Sequence, residues 1–281
     1  MNIQMDGLIP SEAGALAAWA NLVRQNRRQA ERFREMPEVA DYYAPTASSF
    51  KVGTLDQSDA VLEFLKTILK PEDIFLDIGA GGGRYALPIA PYVSQVIALE
   101  PSAEMRSNLF TGISNCEIRN IQVMEERWPM AGAPPADVCF ISHVGYDIED
   151  IGPFLAAMES SARRICIAVL RDSSPASSAA PFWPLIHGEP RLPLPSLKDF
   201  LVLLLARRRL FEVKLISRDT HRPRPRELLT AFLRQQLFLE PGSEKDQRLQ
   251  QLIEIHWQKQ TRGYQPEAKP DMTGIVTWKP R

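Results

Sequence analysis

A short glycine-rich segment constrains the fold of this chain more than any other feature. The stretch FLDIGAGGGRYALPIA spans residues 75–90 and places four glycines in five consecutive positions, between an apolar run and a helix-like run. Glycines at such a turn let a ligand approach the main chain, and N–H groups at the start of the next helix can face that ligand. In an open parallel sheet this corner lies at the carboxyl ends of the strands, where ligands bind. The segment therefore predicts a ligand-binding corner in an α/β fold.

Apolar strands alternate with helices around this segment. We predict strands over 74–78, 96–100, 118–124, 138–142 and 165–170, and helices over 11–35, 56–69, 84–92, 103–112, 151–162, 196–209, 226–239 and 243–260. Near-continuous Val, Ile, Leu and Phe in these strands indicates burial on both faces, which is typical of a parallel sheet covered by helices. Segments 211–217 and 274–279 alternate apolar and polar residues, as antiparallel strands near one end of the sheet would. We therefore predict a doubly wound, mostly parallel seven-stranded sheet with an antiparallel end strand.

The proline distribution suggests where the chain departs from this alternation. Prolines cluster over 173–195 and 222–242 and indicate loops or a lid. We predict an N-terminal helical extension or lid over 1–55 and a main domain over 56–281, in which 172–210 and 219–270 are additions on the substrate side. The first helix carries several arginines largely on its polar face. We interpret them as a solvated surface, with a phosphate- or RNA-binding face as the alternative.

Bulk composition narrows the range of partners. The 281 residues contain 33 Lys and Arg against 34 Asp and Glu, so no overall field favours nucleic acid or a membrane. Three widely spaced cysteines follow no metal-binding pattern, and we interpret them as core residues in a reducing compartment. We find no signal peptide at the start and no apolar stretch long enough to span a bilayer. We expect a soluble cytoplasmic protein without a metal, either a monomer or a homodimer.

Two further residues narrow the predicted ligand. Glu100 ends the next strand, about 20 residues after the glycines, where a carboxylate can accept hydrogen bonds from both hydroxyls of a ribose. The third glycine of a dinucleotide-binding fingerprint would fall on Arg84, whose bulk and charge disfavour close packing around a pyrophosphate. The predicted ligand therefore contains a ribose and needs no diphosphate cradle. S-adenosylmethionine (SAM) fits this description, whereas an NAD-dependent oxidoreductase does not.

With these residues identified, the sequence resembles the class I SAM-dependent methyltransferases. The stretch LDIGAGGGR looks like their first motif, VIALEPSAEM looks like the acidic end of their second strand, and the order of motifs is similar over roughly residues 40–171. The closing pair of alternating segments suits the antiparallel end of their sheet. The resemblance implies a Rossmann-like enzyme (EC 2.1.1.-) that uses SAM and releases S-adenosylhomocysteine (SAH).

The same resemblance implies a set of cofactor-binding residues. They are Asp77, Gly79, Ala80, Gly81, Gly83, Glu100, Pro101, Met105, Glu126, Arg127, Trp128, Ser142 and His143. Asp77 would lie near the amino acid end of the cofactor, and Glu100 would hold its ribose. Glu126 can accept from the adenine amino group, but alignment by the following Trp-Pro would put Arg127 there. Trp128 either packs on adenine or is a core aromatic.

Catalytic candidates lie in ISHVGYD, which follows the fourth strand and faces the methyl group in the resembling fold. Methyl transfer from a sulfonium depends mostly on positioning and on exclusion of water, and it needs a base only if the nucleophile carries a proton. His143 is the best candidate for that base, and Tyr146 is the second catalytic candidate. Alternatively, His143 only hydrogen-bonds the cofactor or a neighbouring loop. The motif Asp/Asn-Pro-Pro-aromatic is absent, which opposes methylation of DNA adenine or of glutamine.

The acceptor-side residues come from the linker near residue 42, from ISHVGYD and from the proline-rich segment after the fifth strand. We predict that Tyr42, Tyr43, Tyr146, Trp183, His187 and Arg191 bind the substrate. Plain packing of the tyrosines and a structural proline-rich wrap are the alternatives. We predict a methyltransferase for a small-molecule acceptor. The alternatives are an RNA methyltransferase that uses the arginine clusters over 207–209 and 218–226, or a non-catalytic SAM-binding protein.

Overall fold

The protein is described here by a computed structural model that covers residues 9–37, 41–42, 47, 59–218, 225–261 and 271–280. The strands are β1 (Ile74–Ile78), β2 (Gln95–Leu99), β3 (Ile121–Met124), β4 (Ala136–Ser142), β5 (Ala162–Arg171), β6 (Phe211–Arg218) and β7 (Asp271–Trp278). The helices are α1 (Glu12–Phe33), α2 (Ala60–Ile68), α3 (Ala86–Ile89), α4 (Ala103–Asn115), α5 (Ile151–Ser161), α6 (Trp183–His187), α7 (Leu197–Ala206), α8 (Arg226–Gln236) and α9 (Glu244–Thr261). Short 3-10 helices cover Ala90–Tyr92 and Pro175–Phe182.

The seven strands form one sheet in the order β3-β2-β1-β4-β5-β7-β6. Strands β1 to β5 are parallel, whereas β7 runs antiparallel to both of its neighbours, β5 and β6. The predicted doubly wound, mostly parallel seven-stranded sheet is therefore confirmed. The antiparallel strand is the next-to-last in the sheet, because β7 lies between β5 and the edge strand β6.

Two apolar clusters cover the two faces of the sheet. Successive side chains in β1 alternate between them: Phe75 packs on the face of α2, α3 and α4, and Leu76 packs on the face of α1, α5 and α7. Both side chains are fully buried. This two-sided burial explains the continuous apolar runs in the strand sequences.

The helix after the glycine-rich segment is shorter than predicted. The sequence suggested a helix over 84–92, but α3 has four residues and continues as the 3-10 helix Ala90–Tyr92. Pro88 lies in the first turn of α3, where a missing N–H is tolerated, and Pro91 follows before a regular α-helix can extend. The glycine-rich segment therefore does not lead into a long helix with a strong dipole.

A third apolar cluster lies apart from the two faces of the sheet. We call it the cap cluster, and its buried members are Ala179, Trp183, Ile186, Leu233, Leu237, Leu239, Leu249 and Ile253. It joins the proline-rich segment after β5 to the helices between β6 and β7. Where the prolines suggested loops over 173–195, the structure contains the 3-10 helix Pro175–Phe182 and α6.

Helix α1 belongs to the core of the sheet and also reaches the cap cluster. Trp19 is 3% exposed, lies in the cluster shared with α5 and α7, and donates its indole N–H to the carbonyl of Ile148 over 2.9 Å. Phe33, at the other end of the helix, packs against the cap cluster. One long helix therefore connects these two parts. The domain boundaries that we predicted stay a prediction.

The arginines of α1 face acidic neighbours, in addition to solvent. Arg24 and Arg27 each lie 3.1 Å from a carboxylate oxygen of Glu149, and Arg32 forms an ion pair with Glu189. These arginine side chains are 44%, 52% and 60% exposed, so each pair contributes little to stability. The pairs orient α1 against the loops that follow β4 and α6.

Two arginines of the cluster over 207–209 belong to a buried ionic network, whereas Arg208 between them is exposed. Arg209 donates to both carboxylate oxygens of Glu159, and Arg207 pairs with the same carboxylate over 3.2 Å. Trp278 in β7 donates its indole N–H to Glu159 over 3.1 Å. Arg207 and Arg209 are each 8% exposed, so neither contributes to a basic surface.

Among the described helices, none combines the length and apolar character needed to cross a membrane.

We predict that replacing Trp19 by Ala destabilises the whole domain. Loss of a large buried ring and its hydrogen bond is expected to lower the free energy of unfolding by about 3 kcal/mol, measured by urea denaturation. The matched control is the exposed Asn21 on the same helix, whose replacement by Ala should change that free energy by no more than about 0.5 kcal/mol. Equal effects of the two substitutions would show that α1 is not part of the core.

Candidate ligand-binding site

The glycine-rich loop leaves β1 with three residues in the left-handed region, at φ values of +77° for Gly79, +56° for Gly81 and +89° for Gly83. A Cβ on Gly79 would lie 2.7 Å from Val144, and a Cβ on Gly83 would lie 2.6 Å from Leu109. A Cβ on Gly81 would meet no atom within 4 Å. Gly79 and Gly83 are therefore required by close packing within the protein. Of these three glycines, Gly81 alone has open space where a Cβ would lie.

Most N–H groups of this loop are already used within the protein. The N–H groups of Gly79 and Ala80 donate to the Leu99 carbonyl over 2.8 and 3.1 Å, that of Gly83 donates to the Ala80 carbonyl over 3.0 Å, and that of Gly81 donates to Glu100 over 2.8 Å. These four N–H groups therefore face acceptors within the protein. Because a phosphate cradle consists of free N–H groups, the loop is not built as one.

The carboxylate of Glu100 is held in a fixed orientation at the end of β2. It is 4% exposed, and its two oxygens accept N–H bonds from Gly81 and Ser102, each over 2.8 Å. Burial raises the pKa of this carboxyl, and the two N–H bonds oppose the rise. A carboxylate has about four lone-pair sites, so both oxygens can accept further hydrogen bonds. Glu100 is therefore a positioned acceptor beside Gly81.

Asp77 is a second buried carboxylate, in β1 next to this corner. It is 2% exposed, and burial together with the negative charge of Glu100 raises its pKa to about 7, while a hydrogen bond from the N–H of Ala86 opposes the rise. Two neighbouring carboxylates in an apolar site are favourable only when protonated or when a cation approaches them. The corner is therefore suited to a positively charged ligand group.

Arg84 is fixed at the outer side of the loop by the start of α2. Its guanidinium lies 2.8 Å from Asp59, whose carboxylate also caps α2 by accepting from the N–H of Val61 over 2.9 Å. Tyr85, which the sequence did not single out, is 4% exposed. Burial raises the pKa of Tyr85. Ser142, a predicted cofactor contact, is the last residue of β4 and is half-buried.

His143 and Tyr146 form a pair at the end of β4. His143 has a φ of +57°, and its Nδ1 lies 3.3 Å from the Tyr146 hydroxyl. Tyr146 is 5% exposed, and its hydroxyl accepts the backbone N–H of Arg171 over 2.8 Å. The structure brings together the two catalytic candidates of the sequence. Which of the two donates depends on the histidine tautomer.

Residues 41–42 connect the corner to α8. Asp41 accepts a hydrogen bond from the hydroxyl of Ser102 over 2.8 Å, next to Glu100. The Tyr42 hydroxyl accepts from Gln236 over 2.7 Å. Burial of the phenol oxygen raises the pKa of Tyr42, although 40% of the residue surface is exposed. Tyr43, the other tyrosine of the prediction, lies outside the described residues.

The remaining predicted cofactor contacts are divided between α4, the surface and the core. Met105 is buried in α4 and Pro101 is exposed before it. Glu126 and Arg127, the two alternatives for an adenine contact, are both exposed. Trp128 lies in the core, where its indole N–H donates to the Phe154 carbonyl over 3.1 Å, as in the core alternative.

The three acceptor-side candidates of the proline-rich segment lie together. Trp183 is fully buried in the cap cluster, its ring centroid is 4.4 Å from that of His187, and the guanidinium of Arg191 stacks over it. His187 Nε2 contacts the Leu237 carbonyl over 3.0 Å, and burial lowers the pKa of this histidine. The sequence expectation that these residues share one region is consistent with this placement, and their roles stay a prediction.

We predict a pH-dependent effect of replacing Asp77 by Asn. The unfolded carboxyl titrates near 3.8 and the folded one near 7, so the folded state holds an extra proton between these values and stability falls as pH rises through that window. The substitution should raise the free energy of unfolding at pH 8 by on the order of 2–4 kcal/mol and change it little at pH 4. Urea denaturation at both pH values measures this. Exposed Asp150, replaced by Asn, is the control, and the same effect of D77N at both pH values would contradict the raised pKa.

Comparison with known proteins gives the fold of this chain. No protein-family model matches the sequence, and no curated protein does. A SAM-dependent methyltransferase from Geobacter sulfurreducens, solved with SAH, is similar in structure at 12% identity and a TM-score of 0.54, over 88% of this chain and 100% of that one. A putative methyltransferase from Bacillus halodurans has 14% identity and a TM-score of 0.52, over 79% and 98%.

Magnesium protoporphyrin IX methyltransferase from Synechocystis, also solved with SAH, has 12% identity and a TM-score of 0.51, over 91% of this chain and 93% of that one. At sequence identities this low, the structural similarity establishes the fold and nothing more specific. The chain therefore has the Rossmann-like fold of the class I SAM-dependent methyltransferases.

Proposed function

We propose that this protein is a SAM-dependent methyltransferase that acts on a small-molecule acceptor. The observation that carries the proposal is the corner formed by Gly81 and Glu100. There, open main chain lies beside a positioned carboxylate at the carboxyl ends of β1 and β2. Ligands bind at this edge of open α/β sheets. Two structures of the same fold contain SAH.

The residues of the corner fit such a cofactor. Glu100 has acceptor capacity for the two ribose hydroxyls, and Gly81 leaves space for close approach. Pro101 and Met105, at the start of α4, border the position proposed for the adenine. The bound cofactor supplies an electrophilic methyl group on a sulfonium. The absence of a phosphate cradle fits a nucleoside that lacks a diphosphate.

Asp77 supplies negative charge at the amino acid end of the proposed site. An ammonium group close to this carboxylate favours its ionised form, because the opposite charge offsets the penalty of burial. Since the pKa of Asp77 is raised to about 7 in the free protein, binding of a cationic ligand at neutral pH is expected to release a proton. Asp77 thus serves as a binding group whose charge appears when the ligand arrives.

His143 and Tyr146 are the proposed groups on the acceptor side. For His143 to accept a proton at Nε2, its Nδ1–H must donate to the Tyr146 hydroxyl, and the observed 3.3 Å contact allows this. Tyr146 is itself fixed by the N–H of Arg171. The pair can therefore orient a base toward the acceptor.

Among the residues that the structure describes, the arginine placement supports a small acceptor in preference to RNA; positions 219–224 of the cluster over 218–226 lie outside them. Arg207 and Arg209 are buried around Glu159, and Arg226 lies 2.8 Å from Glu254. An RNA-binding surface requires cations that are free to neutralise phosphates. The chain as a whole has a formal net charge of −1.

We predict that replacing Glu100 by Gln weakens binding of SAH by on the order of tenfold to several hundredfold, because two charge-assisted hydrogen bonds to the ribose are lost. Isothermal titration of the purified variants measures this. Glu125 is the control: it is a 73% exposed carboxylate that pairs with Arg106 near the end of β3, and its replacement by Gln should leave SAH affinity unchanged. Unchanged affinity of E100Q in a folded variant would remove Glu100 from the site, and no SAH binding to the wild-type protein would overturn the proposed function.

We further predict that the protein transfers a labelled methyl group from SAM to a compound of the small-metabolite fraction of a cell extract. The same reaction is run on total RNA. Label in the metabolite fraction supports the proposal, because it shows that a small molecule accepts the methyl group. Label in RNA alone would support the RNA alternative. SAH binding without any label transfer would indicate the non-catalytic alternative.

A further inference from the structure

An arginine whose hydrogen-bond partners are neutral, Arg191, packs against Trp183 of the cap cluster. Arg191 donates to the side-chain oxygen of Gln29 over 3.0 Å and to that of Asn26 over 2.7 Å, and also to the Asn26 backbone carbonyl over 3.1 Å. Its guanidinium carbon lies 4.1 Å from the ring centroid of Trp183 and 5.7 Å from that of Phe238. Among the described residues, no carboxylate forms an ion pair with it. Arg191 is thus held firmly by groups that do not neutralise it.

Arg32 lies near Arg191 but differs from it in having a carboxylate partner and a more exposed side chain. It interacts with the same loop, but it pairs with Glu189 and its side chain is 60% exposed. Arg191 is half-buried, and burial lowers its pKa to about 10. Taking a charge out of water without an opposite charge is unfavourable, and an anion bound there would offset that penalty.

Tyr42 connects Arg191 to the corner at Glu100. The charges of Arg191 and of Asp147, in the loop after β4, both act on the Tyr42 phenol. The preceding residue, Asp41, accepts a hydrogen bond from Ser102 next to Glu100. Asp147 belongs to the loop that also carries His143 and Tyr146, so Arg191 and this loop have Tyr42 as a common neighbour.

A second donor is present in the same cluster. The indole N–H of Trp183 is buried and has no hydrogen-bond partner among the described residues. Buried N–H groups are nearly always paired, so an unused donor next to an unneutralised cation points to a missing acceptor. Both groups are suited to an oxygen of negative charge.

We infer that Arg191 binds an anionic group, a carboxylate or a phosphate, of the methyl acceptor, while Trp183 holds the guanidinium in position. This inference rests on the proposed function. It specifies that the acceptor is an anion and that its charged end lies in the cap cluster. The reacting atom is then directed toward the corner by a fixed contact, which is how positioning contributes to catalysis.

The test is binding of three matched probes to the full chain, with and without saturating SAH. The probes are benzoate, phenyl phosphate and the neutral benzamide. We expect that at least one of the two anions binds saturably, that benzamide does not bind, and that the anion that binds identifies the charged group. Isothermal titration and the shift of the melting temperature measure the binding of each probe.

The variants are Arg191→Met and, as a matched control, Arg32→Met. We expect R191M to lose on the order of tenfold to a hundredfold in anion affinity, because charge-assisted bonds are lost, and R32M to retain the wild-type affinity. If R191M does not fold, Arg191→Lys keeps the charge and loses the planar fork, so it should bind the anion more weakly than the wild-type protein.

The outcomes distinguish this inference from the proposed function. Equal binding of benzoate and benzamide, no binding of either anion, or equal anion affinity of the folded Arg191 variant and the wild-type protein would each overturn the inference. SAH binding is measured first and separately. Failure to bind SAH contradicts the proposed function, and the arm without SAH then still decides whether Arg191 binds an anion.

Discussion

The hydrogen bond from Gly81 to the buried carboxylate of Glu100 is the interaction on which the site depends. It closes the glycine-rich loop onto the end of β2, where the Leu99 carbonyl takes the N–H groups of the two residues that open the loop. Together with the bonds to the Leu99 carbonyl and from the Ser102 N–H, this contact holds the turn and the direction of the carboxylate. The N–H groups of this loop at positions 79, 80, 81 and 83 are all used within the protein, so the loop does not offer them to a phosphate.

Much of the architecture could be predicted from the sequence because its signals are local. Apolar runs in the strands reflect burial on both faces, and the predicted sheet is the one observed. The acidic residue after the second strand lies beside the glycines because parallel strands end at the same edge. The helix predicted over 84–92 is present but shorter, because Pro88 and Pro91 limit α3 to four residues before a 3-10 turn.

The rest of the site depends on contacts between distant parts of the chain. Gly79 and Gly83 carry no side chain because of Val144 and Leu109, which no reading of the loop alone identifies. Arg207 and Arg209 form a basic run in the sequence, yet Glu159, about fifty positions earlier, takes them into the interior. The cap cluster likewise combines segments that β6 separates in the sequence. Its residues could be predicted individually, but their contacts with one another could not.

Strand β7 has a consequence for the synthesis of the protein. It follows every other described element in the chain, yet it lies between β5 and β6 in the sheet and supplies Trp278 to the buried Glu159. While the ribosome is still translating, β5 has an unpaired edge and β6 has no neighbour, and exposed edges of this kind favour association between nascent chains. The sheet can close only when residues 271–278 have left the exit tunnel, so its completion is a late event that follows translation of all the other described elements.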